Sequence, residues 1–192
     1  MKSILAMFVM LAVSSAYAAP VTYKVDAATS KVNWLGKKVT GQHDGTIAVK
    51  GGEVTMDGKK ITGGTITIDM KTIKVLDIKD AEYNKKLTDH LNSDDFFSTA
   101  KHGEAKLVIK SAKEVKNQME ITADLTIKNI TKPVTFMVDV KADAAKATAK
   151  GKLVIERTQF DVKYGSGKFF QNLGDKMIND DFELTFDIVA NK

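Results

Sequence analysis

Apolar and polar residues alternate along most of this chain with a period of two. Met119, Ile121, Ala123, Leu125 and Ile127 are interleaved with Glu120, Thr122, Asp124, Thr126 and Lys128. The same alternation runs through Val134–Val140 and Phe182–Ile188, and more briefly through Ile66–Met70 and Leu107–Ile109. Successive side chains of a strand point to opposite faces, so each run predicts a strand with one dry face and one wet face. Thr22–Asp26, Lys31–Lys37, Gly45–Gly51 and Lys146–Glu156 read as further strands. Turn residues punctuate them at Gly51-Gly52, Asp57-Gly58, Gly63-Gly64, Asn129 to Pro133 and Gly165-Ser166-Gly167. Short strands spaced by such signals predict an all-β sandwich or barrel of about eight strands.

One stretch breaks the pattern. From Asp80 to Leu91, the apolar residues Tyr83, Leu87 and Leu91 recur every fourth position, which predicts one short helix over about residues 80–91 with Asp80 as its N-cap. It runs into Asn92-Ser93-Asp94-Asp95 and then Phe96-Phe97. Two aromatic residues directly after two carboxylates suit neither a strand nor a helix. They read as a plug at one end of a barrel or as ordinary closure of a core.

The first residues have a different character. Met1-Lys2, an apolar run from Ile4 to Val13, and Ala16-Tyr17-Ala18 form the three parts of a secretory signal peptide. Cleavage is expected after Ala18, leaving one domain over residues 19–192. The periplasm is the expected location, with secretion as second choice. The apolar run is shorter than the roughly 20 residues a membrane-spanning helix needs. The predicted outer strand faces carry Lys, Glu, Asp and Thr, the reverse of a membrane-embedded barrel.

Charge and chemistry add exclusions. The chain has a net charge of +5, almost all of its cations are Lys, and it contains no Cys. Arg157 is the sole Arg. Scattered Lys without clustered Arg argues against nucleic acid, leaving at most a weak, transient attraction to an anionic membrane surface. His43, His90 and His102 stand in no metal-ligand or protease spacing. Gly165-Ser166-Gly167-Lys168 lacks the spacing of a phosphate loop. No catalytic residue, metal site or required cofactor is assigned.

An eight-stranded barrel sits at the threshold between a filled interior and one that holds a small ligand. Ala147, Ala149 and Gly151 are small residues on a dry parity. Either large side chains opposite fill that space or something else does, and the pattern alone leaves both open.

Longer motifs add a resemblance. The His90-Leu91-Asn92-Ser93-Asp94-Asp95-Phe96-Phe97 segment resembles the H-L-x-S-x-D-F-F stretch of the polyisoprenoid-binding YceI-like family. Asp124-Leu125-Thr126-Ile127 with Thr131-Lys132-Pro133-Val134 is similar to that family's D-L-T-[IL] and T-K-P-V strands. Val32-x-Trp34 with Gly41-x-His43-x-Gly45 resembles its first hairpin, and Arg157-x-x-Phe160 its late R-x-x-F element. These occur in family order over nearly the whole of residues 19–192. The resemblance implies an eight-stranded antiparallel, lipocalin-like barrel holding a long isoprenoid chain, such as a quinone tail or polyprenyl phosphate. It implies export and no catalysis. Trp34, Leu107, Leu125, Phe136, Phe182 and Phe186 are then expected to line the pocket. His43, Phe96, Phe97 and Lys168 are expected at the mouth, near a head group. A monomer and a homodimer both fit. Two alternatives stand beside this carrier or storage role: an enzyme on an isoprenoid-type substrate with His43 as acid or base, and a filled barrel serving as a stress-response interaction module.

Overall fold

A computed structural model describes residues 19–192; the expected signal peptide and its cleavage site at Ala18 lie outside the described residues. In chain order the strands are β1 (Val21–Val25), β2 (Lys31–Lys38), β3 (Gly41–Asp57), β4 (Lys60–Val75), β5 (Glu104–Val115), β6 (Gln118–Ile127), β7 (Ile130–Ala142), β8 (Lys146–Glu156) and β9 (Ile178–Asn191). Helix α1 (Ala81–Asn92) lies between β4 and β5, and two short 3-10 turns, 157–160 and 174–176, lie between β8 and β9. Every pairing is antiparallel, and β3 pairs β4 to close the sheet on itself.

The nine strands make an eight-stranded ring. β1 pairs with Glu53–Met56 of β3 and with Ala190–Asn191 of β9. β2 pairs with Gly41–Ile47 of β3 and with Ile178–Asp187 of β9. The two therefore lie end to end in one position of the wall, separated by the turn at Asp26–Ser30. The expected eight-stranded antiparallel barrel with one helix is what forms.

β6 shows how alternation becomes wall. Its five apolar positions, Met119 through Ile127, are all buried, and the polar residues between them are not. Where the sequence reading departs from the structure, the reasons are local. The turn expected over Asn129–Pro133 is only two residues, Lys128 and Asn129, both with positive φ. That is the type I′ geometry whose twist matches a hairpin. Pro133 lies inside β7 opposite Asp124, while the β7–β8 ladder begins only at Val138 and Gly151. A residue without an N–H is tolerated where one neighbour has splayed away. Phe160, 2% exposed, packs into the gap so opened.

Gly51-Gly52 and Gly63-Gly64 also fail to break the chain; both pairs sit within strands β3 and β4. A Cβ on Gly52 would lie 2.0 Å from the Thr65 carbonyl oxygen, and one on Gly64 would lie 2.5 Å from that of Glu53. The absent side chains let the two backbones approach closely. The pair bends through a bulge at Val49–Gly51 instead of ending.

Helix α1 begins as expected, with the Asp80 carboxylate accepting from the Glu82 and Tyr83 N–H groups. Its apolar stripe is only partly used. Leu91 packs on the core, but Tyr83 is 66% exposed, and no residue of α1 is fully buried. The helix covers an open end rather than completing a core, so it needs few buried side chains.

Arg157 ties the segment between β8 and β9 to that same end. It is 4% exposed, and its guanidinium donates to the carbonyls of Val162, Tyr164, Ile178 and Asn179 at 2.8–3.0 Å. Next to it, Glu156 accepts from Lys168 Nζ at 2.6 Å, from Thr158 Oγ1, and from Gln159 Nε2 at 2.8 Å. These donors, Lys168 first, hold its carboxyl down to about 2 from an ordinary 4.5.

Two expectations follow from these contacts. Gly52→Ala should lower stability by more than about 2 kcal/mol in chemical denaturation, since a backbone oxygen occupies the Cβ position. Glu156 binds its proton less readily in the folded chain, so its contribution is complete above pH 4.5 and lost as pH falls through about 2. Glu156→Gln should therefore melt up to about 4 °C below the parent at neutral pH, a modest gap because solvent screens the pair. Melting curves at stepped pH should show the gap closing under acid conditions.

A two-chambered apolar tunnel as candidate functional site

The inward parity of eight strands does not fill the barrel. Two chambers of about 140 and 120 Å³ lie one beyond the other inside it. Each approaches the roughly 150 Å³ that accommodates a benzene ring in an apolar protein interior. They share Val32, Ile68, Leu125 and Leu184, contributed by four different strands, which form a neck between them.

The upper chamber lies beneath α1 and is lined by Trp34, Leu91, Phe96, Phe97, Ile127 and Phe182 among others. Trp34 is positioned from two sides. Its indole Nε1 donates to the Lys74 carbonyl at 3.2 Å. Its ring also lies against Gly45, where a Cβ would come within 2.7 Å of Cε2 and Cζ2. Gly45 is thus required by the Lys74 carbonyl oxygen, 1.8 Å from where its Cβ would lie, and by the tryptophan directly across the β2–β3 ladder.

Phe96 and Phe97 enter this chamber because the chain folds back after α1. The N–H groups of Phe96 and Ser98 bond to Ser93 O, and that of Phe97 bonds to Leu91 O. Asp94 faces outward and accepts from Lys101 and Ser98, which hold its carboxyl below the ordinary range. Asp95 meets His90 at 3.3 Å. The Asp-Asp-Phe-Phe sequence is therefore one turn with its carboxylates outside and its rings inside. His90 meets Phe96 and Tyr164 edge-on at 4.9 and 4.6 Å, and Phe97 meets Phe182 edge-on at 6.2 Å.

The lower chamber is lined by Leu107, Phe136, Phe186, Ala147, Ala149 and Ile188 among others. Phe136 and Phe186 meet edge-on at 5.8 Å. Met56 and Ile61, 1% and 4% exposed, lie in its wall. Tyr23 ties the far end together by donating its hydroxyl to the Asp143 carbonyl at 2.9 Å.

Both chambers present an apolar inner surface, and only the residues bordering them differ. Thr148 supplies the one polar side chain in the lower chamber's lining, whereas Lys37, Arg157, Asn179 and Asp181 all touch the upper one. Arg157 spends its hydrogens on backbone carbonyls, and burial lowers its pKa against the opposing charge of Asp180. It shapes the mouth. Lys37 is held by Glu183 at 3.0 Å.

The structure puts all six expected lining residues around the chambers. Trp34 and Phe182 face the upper one, Leu107, Phe136 and Phe186 the lower, and Leu125 both. Phe96 and Phe97 also line the upper chamber, but His43 and Lys168 line neither. His43 Nδ1 lies 2.8 Å from Asp77 Oδ2 at the rim. Burial raises the Asp77 carboxyl, but the bonds from His43 and from the Asp44 N–H outweigh it and leave it below the ordinary range. Lys168 is drawn to Glu156 and Asp180, outside the tunnel. Both side chains are taken up by carboxylates distant in sequence, a pairing that spacing along the chain does not reveal.

Sequence reading missed the neck residues Val32, Ile68 and Leu184 and the polar mouth residues Lys37, Asn179 and Asp181. Ile68 and Leu184 stood within recognised alternating runs, so their inward parity was legible, though their level along the axis was not. Lys37 carried no signal. Among the described residues, no group of three or more His, Cys, Asp or Glu side chains could hold a metal ion, and no helix is long and apolar enough to cross a membrane.

Known proteins resemble this chain in fold or in sequence. The fold of Burkholderia cenocepacia BcnA superposes with a TM-score of 0.68 and 27% identity, covering 86% of this chain and 99% of that one. A polyisoprenoid binding domain from Saccharophagus degradans superposes with a TM-score of 0.60 over 88% of this chain and 97% of its own, at 14% identity, a likeness of fold. Protein YceI of Shigella sonnei is 36% identical over 92 residues, 48% of this chain and 46% of that protein. A UPF0312 protein of Shewanella denitrificans is 39% identical over 86 residues, 44% of this chain and 42% of its own. The chain thus spans somewhat less than half the length of these two relatives. The YceI-like domain model matches residues 23–190, almost the entire barrel, and the chain belongs to the YceI-like family.

Proposed function

We propose that this protein binds one long, flexible, apolar lipid of the polyisoprenoid type inside the barrel, as a carrier or store in the periplasm. The observation that carries this reading is the pair of apolar chambers in series, which suits a chain rather than a compact ring. The charged and amide residues that border only the upper chamber support one orientation. A head group would lie at the α1 end, near Lys37, Asn179 and Asp181, with the tail running past the neck toward Ala147 and Ala149.

The energetics are sufficient. Burying about a dozen methylene-sized carbons contributes roughly 10 kcal/mol, and ordering the ligand offsets several of these. The remainder supports micromolar binding or better. The binding domain from Saccharophagus degradans with the same fold supports the ligand class. Export to the periplasm rests on the leader-like first 18 residues, and both carriage and storage on the shielding that an interior tunnel gives an apolar cargo. A hollow interior disfavours the filled-barrel alternative.

Native mass spectrometry of protein purified from its own host should show an added mass that organic solvent extracts as an isoprenoid lipid. A clean unliganded mass with nothing extractable would sink the proposal. Ala149→Phe should lower lipid occupancy at least tenfold while shifting the melting temperature by only a few degrees, because the added ring enters a void. In a filled barrel the same change would overpack the core by about 1–3 kcal/mol.

A further inference from the structure

Large apolar side chains exposed on this molecule are not scattered. Among the described residues, all but Val154 lie around the end of the barrel that α1 covers. On one flank, Tyr164, Phe169, Phe170 and Met177 are 44%, 50%, 49% and 37% exposed, and Val39 at the β2–β3 turn is 54% exposed. Hydrogen bonds and packing knit this flank together. The Val39 N–H bonds to the Met177 carbonyl at 3.1 Å, and a Cβ on Gly167 would lie 2.9 Å from Met177 Sδ. Tyr164 in turn packs on Phe96, which lines the upper chamber. Leu76, whose N–H bonds to the Asp44 carbonyl at 2.9 Å, and Tyr83 on α1 are also exposed at this end.

The two phenylalanines are held outward by a built turn. Both their N–H groups bond to the carbonyl of Ser166, at 3.1 and 3.0 Å, and Ser166 is 0% exposed. An anchored turn that displays two aromatic rings to water marks a contact surface, since isolated exposed residues need no explanation but a clustered set does. Two lysines at the edge of this apolar flank point to an anionic partner. Lys37, Lys163 and Lys168 beside this flank are paired with Glu183, Asp161 and Glu156, whereas Lys38 and Lys176 make no ion pair among the described residues. Lys163 Nζ also sits 5.2 Å from the Phe169 ring centroid. Aromatic and Met side chains at one level with lysines beside them match the apolar boundary and anionic head groups of a bilayer surface.

We infer that the Val39, Tyr164, Phe169-Phe170 and Met177 rim docks the mouth of the barrel onto an anionic membrane surface. Docking seats the opening against the bilayer, so an apolar cargo passes between membrane and tunnel without crossing water. The inference adds a partner to the lipid-binding reading, but it stands on the outer surface alone and is measured separately from cargo.

Co-sedimentation with vesicles of phosphatidylglycerol and phosphatidylethanolamine, against vesicles of phosphatidylcholine alone, tests it. The purified protein should partition onto the anionic vesicles, and raising the salt should weaken this. Phe169→Ser with Phe170→Ser should reduce partitioning at least tenfold. Lys38→Glu with Lys176→Glu should reduce it by roughly 25-fold or more. Val154→Ser, on the outer wall, should leave it unchanged. All these positions are exposed, and melting curves check that each variant folds. Native mass spectrometry of the same samples reads the bound lipid, so loss of docking and loss of cargo are distinguishable. Absence of vesicle binding by the parent would overturn the inference, as would equal binding by the rim variants. A parent dimer that the Phe169 and Phe170 substitutions convert to monomer, with vesicle binding unchanged, would also overturn it by showing that a second copy covers this face.

Discussion

The structure depends on closure of its wall. A sheet with free edges must pair them, cover them or blunt them with charge, whereas a ring of strands gives each one two hydrogen-bonding neighbours. Here the closing ladder runs between β3 and β4, the two longest strands, and it is bent. The bend is possible because Gly52 and Gly64 let one backbone pass close to the other's carbonyls. With most of the backbone satisfied around the ring, the interior no longer has to be solid for the wall to stand. That freedom leaves room for two chambers and for small residues such as Ala147 and Ala149 on the inner face.

Much of this was legible along the chain. The wall was legible because a period of two has one reading once the polar face is water-facing, and β6 realises it at every position. The residues around the chambers were legible for the same reason. Strand ends were harder, because glycine signals both a stop and a close approach. Asp57-Gly58 is a turn, whereas Gly51-Gly52 is a bulge within a strand, and only the partner backbone distinguishes them. The mouth was least legible. His43 and Lys168 carried suitable chemistry in suitable places, but Asp77 and Glu156 claim them, and such pairings depend on the three-dimensional path of the chain.

Arg157 illustrates a related point. A lone arginine among many lysines is conspicuous in the sequence, and a charged group beside an apolar tunnel invites a role in gripping a ligand. Its hydrogens instead go to four carbonyls on two segments of chain. Lysine could not reproduce this, because its ammonium offers three donors from one point where the guanidinium offers five in a planar fork. The side chain fixes the geometry of the opening and is thereby engaged.

The neck formed by Val32, Ile68, Leu125 and Leu184 has a consequence of its own. A constriction between two wider spaces sorts occupants by stiffness more than by length. A jointed hydrocarbon can turn its bonds one after another and slide through, while a fused-ring molecule of equal volume presents its full width at once and stops. For a lipid of the kind proposed above, such a passage would favour limp guests over rigid ones without a single polar contact being needed for the choice.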